Sequence, residues 1–143
     1  MPNWPAEHDT ARLRAFAWTP YWVLAFVALW PLPGLAEGVL ALGALAVLVQ
    51  LAVTLGKARM LPLDRWAAGL ANALFAVYWL PELLSAADAL DRGRAWKEVA
   101  ADLRYLPFLW GVATALHARA GRRQVLSGLA AIVALWTMDA LLQ

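Results

Sequence analysis

Long apolar runs alternate with short charged intervals along the whole chain. A helix needs roughly 20 mostly apolar residues to cross about 30 Å of hydrocarbon, because lipid offers no partners for backbone polar groups outside a helix. The runs predict five transmembrane helices, over residues 11–32, 35–55, 66–84, 103–118 and 125–142. The pattern therefore predicts an all-α integral membrane protein in which residues 1–143 form a single helical domain.

The first apolar run contains Pro20 and ends at Pro31 and Pro33. A helix that began at Pro20 would have about a dozen residues before Pro33, too few to cross the membrane at roughly 1.5 Å each. We therefore expect this helix to begin near Thr10 or Ala11 and to bend at Pro20, where a backbone N–H is missing.

Charges of both signs interrupt the apolar pattern between the third and fourth predicted helices. After Gly93, apolar residues recur at the spacing i, i+3, i+4 and i+7, and charged residues occupy the opposite face. The apolar positions are Trp96, Val99, Ala100 and Leu103. This pattern predicts an amphipathic helix over 94–103 that lies along the membrane surface and runs almost directly into the fourth span. A solvated connector is the alternative.

The basic residues divide unequally between the two sides of the predicted membrane. One side receives eight of them: Arg12, Arg14, Lys57, Arg59, Arg65, Arg119, Arg122 and Arg123. The other side receives four: Arg92, Arg94, Lys97 and Arg104. Loops rich in Lys and Arg face the cytoplasm, so we expect a cytoplasmic N-terminus and a C-terminus on the outer face, which is the periplasmic side if the cell is Gram-negative.

Composition supports the membrane assignment and excludes several kinds of chemistry. Hydrophobic residues make up 63% of the chain and charged residues 15%, a balance that does not suit a protein surface facing water. The absence of cysteine excludes disulfides, thiolate metal sites and thiol catalysis. The net charge is only +2, and the arginines lie at helix ends rather than in a stripe, so no nucleic-acid partner is expected.

Small and polar residues inside the predicted spans are candidates for contacts between helices. Gly34 and Gly38 form a G-x-x-x-G pair of the kind that lets two backbones approach closely, although such pairs also arise by chance. We interpret Asn72, Glu82 and Asp139 as polar packing positions at membrane depth, with Asn72 hydrogen-bonding to a neighbouring helix. Glu82 has two interpretations, an interfacial charge or a group that faces a cavity.

The sequence contains no HExxH, Walker or GxSxG motif, and we predict no catalytic residue, metal or cofactor. Asp88 and Asp91 form a D-x-x-D pair, which we interpret as a helix cap and a solvated charge, with binding of a magnesium–pyrophosphate as the alternative. Arg92, Arg94 and Arg104 lie on the predicted outer side. Their guanidinium groups suit the phosphate of a lipid-linked substrate, with ordinary contact to lipid headgroups as the alternative.

Two stretches carry a resemblance to a known family. The first is PELLSAADALDRGRAWKEVAADLRYLPFLWGVATAL, residues 81–116, which joins a proline-broken span to a segment that is acidic and then basic. The second is LWTMDALLQ, residues 135–143. Both resemble the N-terminal part of the O-antigen ligase/polymerase family of bacterial inner membranes, in the same helix order.

Members of that family transfer glycan from undecaprenyl pyrophosphate to a sugar of lipid A–core or to a growing chain. The resemblance implies that their functional arginines and histidine lie in later spans and in a large periplasmic loop. It therefore implies that this chain is the N-terminal scaffold portion of an O-antigen ligase-like glycosyltransferase, a natural fragment or a truncation, and inactive alone.

Two other functions remain as hypotheses from the residues themselves. The chain suits a small oligomeric transporter that uses Asn72, Glu82 or Asp139 as a polar site within the membrane. The carboxylates Glu82 and Asp139 both lie towards helix ends, however, whereas a transport site is expected near mid-span. An accessory membrane protein without chemistry is the remaining alternative.

Overall fold

The computed structural model of the protein describes residues 16–56 and 65–142, and within these ranges every regular element is an α-helix. The helices are α1 (Thr19–Ala28), α2 (Pro33–Gly56), α3 (Arg65–Ala87), α4 (Arg92–Asp102), α5 (Tyr105–His117) and α6 (Arg119–Leu142). The predicted all-α class is confirmed for the described part of the chain.

Three of the described helices are long and apolar enough to cross a membrane. They contain the stretches Pro33–Thr54, Trp66–Ala87 and Arg119–Leu142. These stretches correspond to the predicted spans 35–55, 66–84 and 125–142. Helix α6 begins before its predicted span, because the basic interval that we predicted as a loop is helical from Arg119 onwards.

The first predicted span, 11–32, differs from the structure. Helix α1 has 10 residues, which at about 1.5 Å each is roughly half of the hydrocarbon thickness. Residues 16–18 form a turn before it, and Pro20 lies in its first turn rather than at a bend within a longer helix. Proline is well tolerated there, since the first N–H groups of a helix have no partner within the helix. The start predicted near residue 11 lies outside the described residues.

The fourth predicted span, 103–118, and the surface helix, 94–103, correspond to α5 and α4. Helix α5 has 13 residues, about 20 Å of helix, which is less than a full crossing. Helix α4 begins one residue after Asp91, whose carboxylate accepts a hydrogen bond from the Arg94 backbone N–H at 3.1 Å. A turn at residues 103–104 separates the two helices, so they are less continuous than predicted.

Helix α5 is the centre of the bundle, in contact with α1, α2, α3 and α6. The Trp22 indole of α1 fills the space between Gly43 of α2 and Gly111 of α5. Its Nε1 donates a hydrogen bond to the Val39 carbonyl at 2.8 Å, and its ring meets Phe108 edge-on at a centroid distance of 5.3 Å. The close approach of α1, α2 and α5 therefore depends on the absence of a side chain at both glycines.

Candidate lipid-phosphate site at the turn between α4 and α5

Arg104 lies in the turn that joins α4 to α5, and its side chain is 27% exposed. The guanidinium Nη1 lies 3.9 Å from Glu37 Oε2, and the guanidinium carbon lies 5.6 Å from the centre of the Tyr105 ring. The Arg104 Nε is buried and has no hydrogen-bond partner within residues 16–56 and 65–142. Among the described residues the guanidinium makes no hydrogen bond, so a mostly buried group with five N–H donors is held only by longer-range attraction.

An apolar groove of about 370 Å³ extends from Arg104 between α2 and α5. Its apolar lining residues are Ala41, Ala44, Leu45, Leu48, Leu103, Leu106, Pro107 and Trp110. Arg104 is the one charged residue among the described residues that line it. Residues 41 and 48 of α2 are about 10 Å apart along the helix. A cation at the end of an apolar groove suits a phosphate that is attached to a long hydrocarbon chain.

Glu37 is the only described acidic group paired with Arg104, and its side chain is 61% exposed. A distance of 3.9 Å at such exposure makes a weak pair, because water screens the charges. A phosphate carries more negative charge than a carboxylate and offers oxygens that match the guanidinium fork. Arg104 is therefore free to bind a phosphate without losing a strong partner.

The other two arginines of the predicted phosphate site lie elsewhere. Arg92 and Arg94 are exposed in the first turn of α4, and Arg94 Nε binds Glu98 Oε1 at 3.0 Å. Ten positions separate Arg94 from Arg104, roughly 15 Å along a helix. The structure therefore does not bring these arginines together with Arg104 around a single phosphate.

Glu82 takes part in a polar cluster that sequence reasoning did not find. The Tyr78 hydroxyl of α3 donates to Asp102 Oδ2 of α4 at 2.5 Å, and the Glu82 carboxyl, on the same helix as Tyr78, lies near Asp102. Glu82 Oε2 is a buried oxygen that has no hydrogen-bond partner in the part of the chain that the structure describes. Trp79 Nε1 also donates to the Val99 carbonyl at 2.9 Å, which holds α4 against α3.

The remaining predicted polar positions lie on α3 and α6. Asn72 Oδ1 of α3 accepts a hydrogen bond from Trp110 Nε1 of α5 at 2.9 Å, which joins two helices. Asp139 lies in the last turn of α6 with an exposed side chain. Within residues 16–56 and 65–142, no three His, Asp or Glu side chains are grouped so that they could hold a metal ion.

Comparison of the chain with protein-family models, curated proteins and solved structures finds no match.

Proposed function

We propose that the protein is a multi-pass protein of the bacterial inner membrane and the N-terminal scaffold portion of an O-antigen ligase-like glycosyltransferase. In this role it holds the phosphate end of an undecaprenyl-pyrophosphate-linked glycan, which the complete enzyme transfers to lipid A–core. Arg104 carries the proposal, because it is a mostly buried cation at the end of an apolar groove and forms no hydrogen bond with the described residues. The resemblance supplies the substrate class.

Helices α3 and α6 support the membrane location. In the most apolar stretch of each helix, only 11% of α3 and 6% of α6 is buried within the protein. Leu74, Val77, Leu135 and Leu141 are among the large apolar side chains that these helices expose. Exposure of two such apolar faces to water would be strongly unfavourable in free energy, whereas contact with lipid chains would avoid that cost. We therefore assign α2, α3 and α6 to the membrane, with the shorter α1 and α5 packed among them.

The proposed role of Arg104 is to bind and position the substrate. Its guanidinium would donate two parallel hydrogen bonds to a phosphate, and its charge would offset the charge of the pyrophosphate leaving group. The groove between α2 and α5 would hold the first isoprene units of the lipid. We assign no acid, base or nucleophile of the transfer reaction to the described helices.

Complementation tests the proposal. We expect the 143-residue chain, expressed in a strain that lacks its O-antigen ligase, to leave the lipopolysaccharide uncapped on a gel. The same chain joined to the C-terminal part of an O-antigen ligase should restore the ladder of capped species. A ladder from the chain alone would contradict the scaffold role. Failure of the joined protein, once its membrane insertion is verified, would contradict the ligase assignment.

Orientation in the membrane can be measured cleanly because the chain has no cysteine. We expect Asp88→Cys, in the connection between α3 and α4, to react with a membrane-impermeant maleimide in intact spheroplasts. Ala120→Cys, in the first turn of α6, should react only after the membrane is permeabilised, since the basic interval around it is predicted to face the cytoplasm. The opposite labelling pattern would reverse the predicted topology.

A proton-coupled transporter is a second candidate, favoured by the carboxyl cluster of Glu82 and Asp102. A buried carboxyl oxygen that has no hydrogen-bond partner among the described residues, near a second carboxylate, is suited to taking up and releasing a proton. Loss of proton-driven flux in vesicles on Glu82→Gln, with flux retained by the exposed control Glu98→Gln, would favour transport and replace the ligase proposal.

A further inference from the structure

A second apolar groove lies on another face of α5, between α3 and α5, with a volume of about 520 Å³. Its large apolar lining residues are Trp66, Leu70, Leu74, Leu109, Val112 and Leu116. One end of the groove carries His117 and Arg122, at the junction of α5 and α6. This end of the bundle is opposite to the one that carries Arg104, because α5 runs from Tyr105 to His117.

Arg122 also borders a neighbouring concavity of about 600 Å³ on the surface of α6. Arg119 and Arg123 line that concavity together with Leu126 and Ser127. All three arginine side chains are exposed, and neither hollow has an acidic residue among its described lining residues. Arg122 thus borders both a strongly cationic hollow and an apolar groove.

We propose that this end of the bundle binds one anionic glycerophospholipid, with its phosphate on Arg122 and one acyl chain in the groove between α3 and α5. The guanidinium groups match phosphate oxygens, and the apolar walls match an acyl chain. The groove extends about 12 Å along α3 from residue 66 to residue 74. A lipid satisfies both hollows at once because Arg122 borders each of them.

A protein helix is the competing occupant of the groove. Such a helix would have to supply acidic residues opposite Arg119, Arg122 and Arg123, whereas an anionic headgroup supplies its charge in one compact group. Under the predicted orientation the site faces the cytoplasmic leaflet, whose anionic lipids attract basic segments near the membrane. The inference rests on the proposed membrane location and is independent of the ligase assignment.

The headgroup is tested by native mass spectrometry of the purified protein in detergent, with phosphatidylglycerol and phosphatidylcholine as probes. We expect one phosphatidylglycerol to be retained in preference to phosphatidylcholine. Arg122→Gln should weaken that binding about tenfold, as expected for loss of a charge-assisted hydrogen bond. Lys97→Gln, an equal loss of charge at the far end of the bundle, should leave it unchanged. Equal retention of both lipids, or equal weakening by both variants, would overturn the proposal.

The groove is tested separately by filling it from either wall. We expect Ala113→Phe of α5 and Ala67→Phe of α3 each to abolish retention of phosphatidylglycerol, whereas Ala130→Phe on the exposed face of α6 should retain it. Each wall is changed in a separate variant, so that the test still stands if one of the two fails to fold. Folding is judged by the size-exclusion profile. Unchanged retention in a folded filling variant would show that the acyl chain lies elsewhere, or that a protein helix is the occupant. Recovery of the wild-type protein in the soluble fraction would instead overturn the membrane location.

Discussion

Gly43→Ala is expected to lower the free energy of unfolding by about 3 kcal/mol, because the added methyl group would overlap the Trp22 indole. The indole cannot easily move aside, because its Nε1 donates a hydrogen bond to the Val39 carbonyl at 2.8 Å and the backbone at Gly111 of α5 confines the ring on another side. Either the hydrogen bond breaks or α2 moves away from α1 and α5. The measurement is thermal unfolding of the purified protein in detergent.

Gly38→Ala provides the matched control on the same helix. A Cβ at Gly38 meets no described atom within 4 Å, so alanine there is expected to be neutral or slightly stabilising. As a single substitution, Trp22→Leu should lower the free energy of unfolding. In the Gly43→Ala background it should lower that free energy less, because the smaller leucine side chain removes the overlap with the added methyl group. Equal melting temperatures for the Gly43→Ala and Gly38→Ala variants would contradict the placement of Trp22 between the helices.

Arg104→Gln is expected to weaken the proposed binding of undecaprenyl pyrophosphate roughly 100-fold, because it removes two charge-assisted hydrogen bonds. Arg104→Lys should give an intermediate affinity, because lysine keeps the charge but cannot form two parallel bonds. Native mass spectrometry of the purified protein in detergent, titrated with undecaprenyl pyrophosphate, measures the affinity directly.

Arg94→Gln is the control for that experiment. Arg94 is exposed and already bound to Glu98, so its loss should change the affinity little. If Arg94→Gln weakened binding as much as Arg104→Gln, the lipid would be held by diffuse positive charge, and the site at the turn between α4 and α5 would be wrong. The comparison also separates the two interpretations of the outer arginines that the sequence left open.

The central position of α5 has a consequence for how the proposed lipids would be arranged. Its first residues border the groove that ends at Arg104, and its last residues border the groove that ends at Arg122. One short helix thus positions both basic sites, at opposite ends of the bundle. A change that displaced α5, such as a side chain at Gly111, would be expected to disturb both sites together.

The long helices could be predicted from the sequence because their cause is local. Apolar runs of sufficient length predicted spans 35–55, 66–84 and 125–142, and each of them is matched by one long apolar helix. The cap of α4 by Asp91 was also local, since an aspartate oxygen reaches a backbone N–H only a few residues away. Hydropathy and capping depend on near neighbours in the chain, and these are visible in the sequence.

Which side chains meet across helices was decided by the tertiary structure. The sequence suggested Gly34 and Gly38 as a close approach, yet a Cβ at either meets nothing within 4 Å in the described part of the chain, while Gly43 and Gly111 enclose Trp22. Three outer arginines looked equivalent, yet in the described part of the chain only Arg104 is both mostly buried and without a hydrogen bond. Which residues meet depends on how each helix is rotated and where it crosses its neighbours, and spacing along one helix does not determine either quantity.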